Sequence, residues 1–116
     1  MKLEELELSL LFDYYGDLLT EKQRTCFDLY YNQDLSLGEI AQEAGISRQG
    51  VHDSLTRAEA ALRNMEEKTG AAARDRACRL ALVRIQSAAS QLRESGDPET
   101  SRLAQEILDA AAMIKE

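Results

Sequence analysis

Arg48, Gln49, His52, Asp53 and Arg57 are the residues of this chain whose types and spacing could do chemistry on another molecule. Arg and Gln can each offer a pair of hydrogen bonds to the edge of a base. A second Arg nine residues further on can reach a phosphate. The chemistry in view is therefore recognition of a nucleic acid, not bond breaking. His52 is the only His in the chain. It has no Asp or Cys partner pattern around it, so a surface position is expected for it rather than a metal or catalytic role. The same five residues would also suit the solvated face of a small three-helix core, and the choice depends on the elements that carry them.

Those elements are readable on either side. Ser36-Leu37-Gly38-Glu39 is a capping box that opens a short helix, Leu37 to Ala44, with Ile40, Ala41 and Ala44 expected inward. Gly45 stops it, and Ser47 caps a new helix two residues later. Two helices joined so tightly must cross steeply, as in a helix-turn-helix. Ala41 is small enough to let the second helix approach, while Ile40, Ile46 and Val51 fill the wedge. In such a motif the first turns of the second helix face the major groove. The outward positions there are Arg48, Gln49, His52 and Asp53, with Arg57 beyond them. Gly50 is unusual inside a helix, where it costs ~0.5–1 kcal/mol against Ala. It either admits a partner backbone or is simply tolerated.

The rest of the chain reads as helices throughout. Leu3 to Tyr15 has apolar residues at 3, 6, 10, 11 and 14, a helical spacing, with Gly16 as the expected C′ stop. Thr20-Glu21-Lys22-Gln23 is a second capping box, opening a helix to about Tyr31. Val51, Leu55, Ala58, Leu62 and Met65 continue the helix after Ser47 as a heptad-like seam to about Lys68, with Gly70 as a stop or kink. Beyond it, Cys78, Leu82, Ile85, Ala89 and Leu92 form one seam. Leu103, Ile107, Ala110 and Ile114 form another, with Ala104, Leu108 and Ala111 beside it. Ser95-Gly96-Asp97-Pro98 separates them, with Asp97 as N-cap and Pro98 at the first helical position. The fold expected is all-α: a helix-turn-helix domain over residues 1–69 with a long recognition helix, and a C-terminal helical hairpin over 70–116. The apolar seams exceed what one small core needs. A homodimer using the hairpin as its dimerisation element is favoured over a chain that folds back entirely on itself.

Composition narrows the function. The chain has 116 residues, one Pro, six Gly and a net charge of −7. Residues 1–69 hold seven Lys/Arg against fourteen Asp/Glu, a net of −7; residues 70–116 hold seven of each. An acidic domain is a poor general binder of phosphate, whose affinity comes from released counterions. Residues 47–63 are nonetheless +1, three Arg against two acids. Any nucleic-acid binding should be weak and salt-sensitive, each phosphate contact contributing ~0.9 to the log–log salt slope on duplex DNA. Catalysis is not expected: no Gly-rich phosphate loop, no nucleophile with a base and no metal cluster is present. No cofactor is expected either. Glu4, Glu5 and Glu7 read as an acidic first turn. Cys26 and Cys78 lack metal-ligand spacing and are expected to be small buried hydrophobes. Neither a signal peptide nor a membrane helix is expected, which points to the cytoplasm.

The stretch from Leu10 to Lys68, with the blocks LTEKQR (19–24), DLSLGEIA (34–41) and SRQ-V (47–51), resembles the YlxM (p13-like) family of small bacterial helix-turn-helix proteins. The resemblance covers roughly residues 6–68. More distantly the stretch is similar to region 4 of sigma-70-type factors, whose support helix matches Thr20 to Tyr31. A winged-helix-like arrangement belongs to the same expectation. The family is associated with the signal recognition particle, because its genes stand beside that of the particle's protein subunit. The resemblance implies a regulatory, cytoplasmic bacterial protein acting on the particle, its RNA, its GTPases or the operon encoding it. By the sigma likeness Arg48, Gln49, His52 and Asp53 face the bases. The family more often carries Ala and Tyr where this chain has Gly50 and His52, which removes a stacking contact. The contrasting expectation is a protein-interaction module that grips the particle's GTPases through the acidic face of residues 1–69 without touching nucleic acid.

Overall fold

A computed structural model describes residues 2–114. The chain divides into two compact units, the first ending at Ala72 and the second beginning at Ala73. Among the described residues every regular element is helical. The wing of a winged helix is built from strands, so that part of the sequence expectation is corrected.

The first unit contains α1 (Leu3–Tyr15), α2 (Glu21–Phe27), α3 (Leu37–Ala44) and α4 (Arg48–Thr69). Its helix starts are where the caps place them. The Gln23 N–H donates to Thr20 Oγ1 at 3.2 Å, and the Gln23 side chain accepts from the Thr20 N–H at 3.1 Å. Ser36 and Glu39 repeat the exchange at 3.1 and 2.9 Å. The Ser36 bonds hold the Glu39 carboxyl below its ordinary range. α4 packs against α1, α2 and α3 alike. Its seam of Val51, Leu55, Ala58 and Leu62 is buried with Phe27 and Ile40. Phe12, Phe27 and Tyr31 stack in series, with centroids 4.5 and 4.4 Å apart. Tyr31 donates to Glu59 on α4, and burial together with that bond pushes its phenol up.

Several details depart from the sequence reading. Gly16 is right-handed, at φ −54°, and the chain runs on as a 3₁₀ turn over Gly16–Leu18. Its lack of a side chain serves packing instead, since a Cβ would sit 3.3 Å from the Phe12 ring. α2 does not continue as α-helix to Tyr31. It widens into a π-turn over Asp28–Asn32, closed by the Gln33 N–H donating to the Asp28 carbonyl at 3.2 Å. In α1 the stripe Leu3, Leu6, Leu10 and Tyr14 faces outward, while Leu8, Leu11 and Tyr15 face the core. This helix is apolar on two sides, and of the residues at 3, 6, 10, 11 and 14 only Leu11 is in the core. Ala44 is exposed, not inward.

α4 ends at Gly70, left-handed at φ 60°, and a new helix begins at Ala71. Buried Tyr15 secures that end. Its hydroxyl donates to Glu66 Oε1 at 2.6 Å and lies 2.7 Å from the Thr69 hydroxyl, and the same Glu66 oxygen accepts from the Ala72 N–H at 3.0 Å.

The second unit is an antiparallel hairpin of α5 (Ala71–Arg93) and α6 (Pro98–Ala112). Gly96 turns at φ 86°, and Asp97 caps α6 by accepting from the Thr100 N–H at 2.9 Å. The Thr100 bonds lower the Asp97 carboxyl. Near the turn, Arg93 donates to Gln105 at 3.0 Å and the Ser101 hydroxyl donates to the Arg93 carbonyl at 2.8 Å. The buried residues are Leu82, Ala89, Ala104 and Ala111. The expected α5 seam is thus split, with Leu82 and Ala89 buried while Cys78, Ile85 and Leu92 are exposed. The expectation that both cysteines are buried holds for Cys26 and fails for Cys78. One narrow seam, made mostly of Ala, is buried within the hairpin, and its larger neighbours are left outside.

A candidate nucleic-acid interface on α4

The turn between α3 and α4 is set by three residues. Gly45 is left-handed at φ 70°, a conformation costly for any side chain. Ile46 is half-buried against the core. Ser47 accepts from the Gly50 N–H at 2.9 Å and starts α4. A Cβ added at Gly50 would lie 3.2 Å from the capping Ser47 oxygen and 3.7 Å from Ile46. The cap itself needs no Gly, since Gln23 and Glu39 hold the same position beneath Thr20 and Ser36.

Arg48, Gln49, His52, Asp53 and Arg57 are all exposed. At about 100° per residue the side of α4 opposite Val51, Ser54 and Ala58 is an arc running from Arg48 through His52 and Gln49 to Asp53 and Arg57. The two Arg bound this arc, roughly half a turn apart around the helix and ~14 Å apart along it. Neither has a hydrogen-bond or ion-pair partner among the described residues. Other Arg of this unit are engaged: Arg63 with Glu4 at 2.9 Å and Arg24 with Asp17 at 3.4 Å. Within the arc, Gln49 Nε2 donates to Asp53 Oδ1 at 2.9 Å, and His52 Nδ1 lies 3.8 Å from the same oxygen. Asp53 therefore accepts from Gln49, and one donor of Gln49 is already occupied.

The sequence reading missed Thr56, which is exposed in the middle of the arc. The signal was present in its phase, one turn beyond His52 and Asp53. Such an arc can hydrogen-bond to bases through Gln49, His52, Asp53 and Thr56 while a cation on each side meets a groove wall. A major groove ~12 Å wide admits a helix of these dimensions. No grouping of three or more metal-binding side chains exists among the described residues. No helix among them is long and apolar enough to cross a membrane.

Comparison with known proteins agrees with the helix-turn-helix arrangement of α3 and α4. Residues 2–95 match the model of the UPF0122 family, described as "Putative helix-turn-helix protein, YlxM / p13 like". A UPF0122 protein of Thermoanaerobacter sp. (strain X514) is 46% identical over 103 residues, covering 88% of both chains. Another, of Desulforamulus reducens, is 58% identical over 64 residues, or 55% of each chain. The family match thus extends past the motif into α5. With the two capped helices, the left-handed Gly45 between them and these matches in hand, the chain belongs to the UPF0122 family of YlxM/p13-like helix-turn-helix proteins.

Proposed function

We propose that this protein is a cytoplasmic, nucleic-acid-binding regulator in the signal recognition particle pathway, using α4 as its recognition helix. The observation that carries the reading is the exposed arc on the first three turns of α4, bounded by the unpaired guanidinium groups of Arg48 and Arg57. The pathway is taken from the resemblance to the YlxM family, and the docking of the second helix from its likeness to sigma region 4. The target is the particle's RNA or duplex DNA of the operon. A homodimer would present two such helices to one nucleic acid. With only two free cations on the arc, affinity is modest and its log–log salt slope on duplex DNA is shallow, about two phosphate contacts' worth.

The test is a fluorescence anisotropy titration against labelled particle RNA, operon duplex DNA and the particle's protein subunit, at low and moderate salt, beside Arg48→Ala/Gln49→Ala. Saturable binding to a nucleic acid that the variant loses supports the reading. If wild type and variant ignore both nucleic acids at low salt, it is wrong.

One observation favours a second reading, a module that binds the particle's GTPases. The outward stripe of α1, with Leu3 83% and Leu6 48% exposed, is flanked by Glu7, Asp13 and Asp17. An acid-rimmed apolar stripe suits a basic amphipathic helix of another protein. Binding of the protein subunit that is lost in Leu6→Asp and kept in Arg48→Ala/Gln49→Ala would favour this reading.

A further inference from the structure

We propose that the side of the hairpin carrying Cys78, Ile85, Leu92, Leu103, Ile107 and Ile114 is the surface on which a second copy of this chain docks, closing two hairpins into a four-helix bundle. The inference rests on the self-association proposed above and gives it a surface. A two-helix hairpin has only one internal seam, here filled by Leu82, Ala89, Ala104 and Ala111. The larger apolar side chains stay outside it. Ile85, Leu92, Leu103, Ile107 and Ile114 are 42–58% exposed, and Cys78 is exposed beside them.

These side chains share one side. Cys78, Ile85 and Leu92 are seven residues apart, a spacing that drifts only ~20° per repeat on a helix. Leu103 and Ile107 follow a similar register on α6, with Ile114 just past its end. The two stripes meet, because Ile114 lines the same open groove of about 260 Å³ as Cys78 and Ile85. A contiguous apolar side of this kind on a folded chain marks an interaction surface.

Charge selects the occupant. α5 holds five Arg and one Asp, a net of +4; α6 holds Glu99, Glu106 and Asp109 against Arg102, a net of −2. Two copies stacked α5 on α5 would repel. A two-fold axis along the hairpin lays each α5 on the partner's α6, attracts on both sides at once, and makes every neighbouring pair antiparallel. The rim supplies a specific pair. Arg84 has no partner among the described residues. Glu106 is held by Arg102 only at 3.6 Å, whereas Arg102 holds Glu99 at 2.6 Å. With Ile114 beside Cys78, Glu106 lies about level with Arg84, and both sit at the outer edge of the apolar side.

The test uses the full chain. Its mass is measured by light scattering at low and high micromolar concentration, and Cys78 is alkylated with a bulky maleimide over the same range. Cys26 is buried, so the reaction reports on Cys78. A dimer, with Cys78 labelling slowed at least tenfold as it forms, is the expected result. A monomer at high micromolar overturns the self-association itself. A dimer whose Cys78 reacts at the same rate at every concentration overturns only this surface. Nucleic-acid binding is read separately and decides neither outcome. Arg84→Glu and Glu106→Arg should each weaken the dimer several-fold, and the double exchange should restore it. Single exchanges without effect overturn the α5-on-α6 arrangement.

Discussion

At the scale of single residues, the candidate site is a contest over Gln49. Asp53 occupies one of its donors and adds negative charge in the middle of an arc that would enter the groove of a polyanion. Replacing Asp53 by Asn removes the charge and keeps an acceptor. Asp53→Asn is therefore expected to tighten duplex binding several-fold at low salt, measured by anisotropy, with an unchanged salt slope. Weaker binding would mean that the carboxylate itself touches the target. Ser47 is the other decisive residue. Losing an N-cap costs about 1 kcal/mol, so Ser47→Ala should lower unfolding stability by about that much and fray the turn that carries Arg48 and Gln49. The five outward positions were legible because a capped helix start fixes the phase of everything after it. The Gln49–Asp53 bond was not, because an i,i+4 spacing permits a side-chain contact without requiring one.

At the scale of elements, legibility followed local chemistry. α2 and α3 begin where the sequence placed them, since a Thr or Ser followed by Gln or Glu satisfies orphan N–H groups by itself, and α4 begins at the Ser47 cap. Sides of helices were harder to choose. α1 is apolar on two sides, and its spacing does not say which is inward, because burial is decided by Leu55, Ala58 and Leu62 on α4, far away in sequence. The π-turn carries no signal in residue type at all. Two variants separate backbone from packing at this scale. Gly45→Ala meets nothing within 4 Å yet must hold φ near +70°, so a loss of about 1–2 kcal/mol is expected from backbone alone. Leu62→Ala empties a fully buried site and should cost 2–5 kcal/mol on the general scale for core truncations, roughly, in denaturant unfolding.

At the scale of the whole molecule, the unevenness of charge is the governing fact: the acidic excess lies in residues 1–69. Acid should therefore first relieve repulsion and then remove caps. Glu39 and Asp97 are both held below their ordinary values of 4.5 and 3.8 by the bonds they accept. A depressed carboxyl stabilises the fold above its unfolded value and loses that contribution as pH falls through the folded one. Helix content and thermal midpoint are thus expected to hold near pH 6 and to fall below about pH 4 as these caps are protonated. Glu39→Gln keeps an acceptor and should blunt the part of the fall due to α3. A midpoint flat down to pH 3 would show that the caps do not matter to global stability.

The wide turn at Asp28–Asn32 also has a consequence for descent with modification. A π-turn holds more residues than the α-turn it replaces, which is how a helix absorbs an insertion without shifting what lies on either side. Relatives one residue shorter here would keep α2 and the start of α3 in place but turn the intervening side chains by about 100°. Tyr31 would then leave its stack on Phe27 and its bond to Glu59. When UPF0122 sequences are aligned, a gap inside this turn is a change of partner for α4, not a neutral difference in loop length.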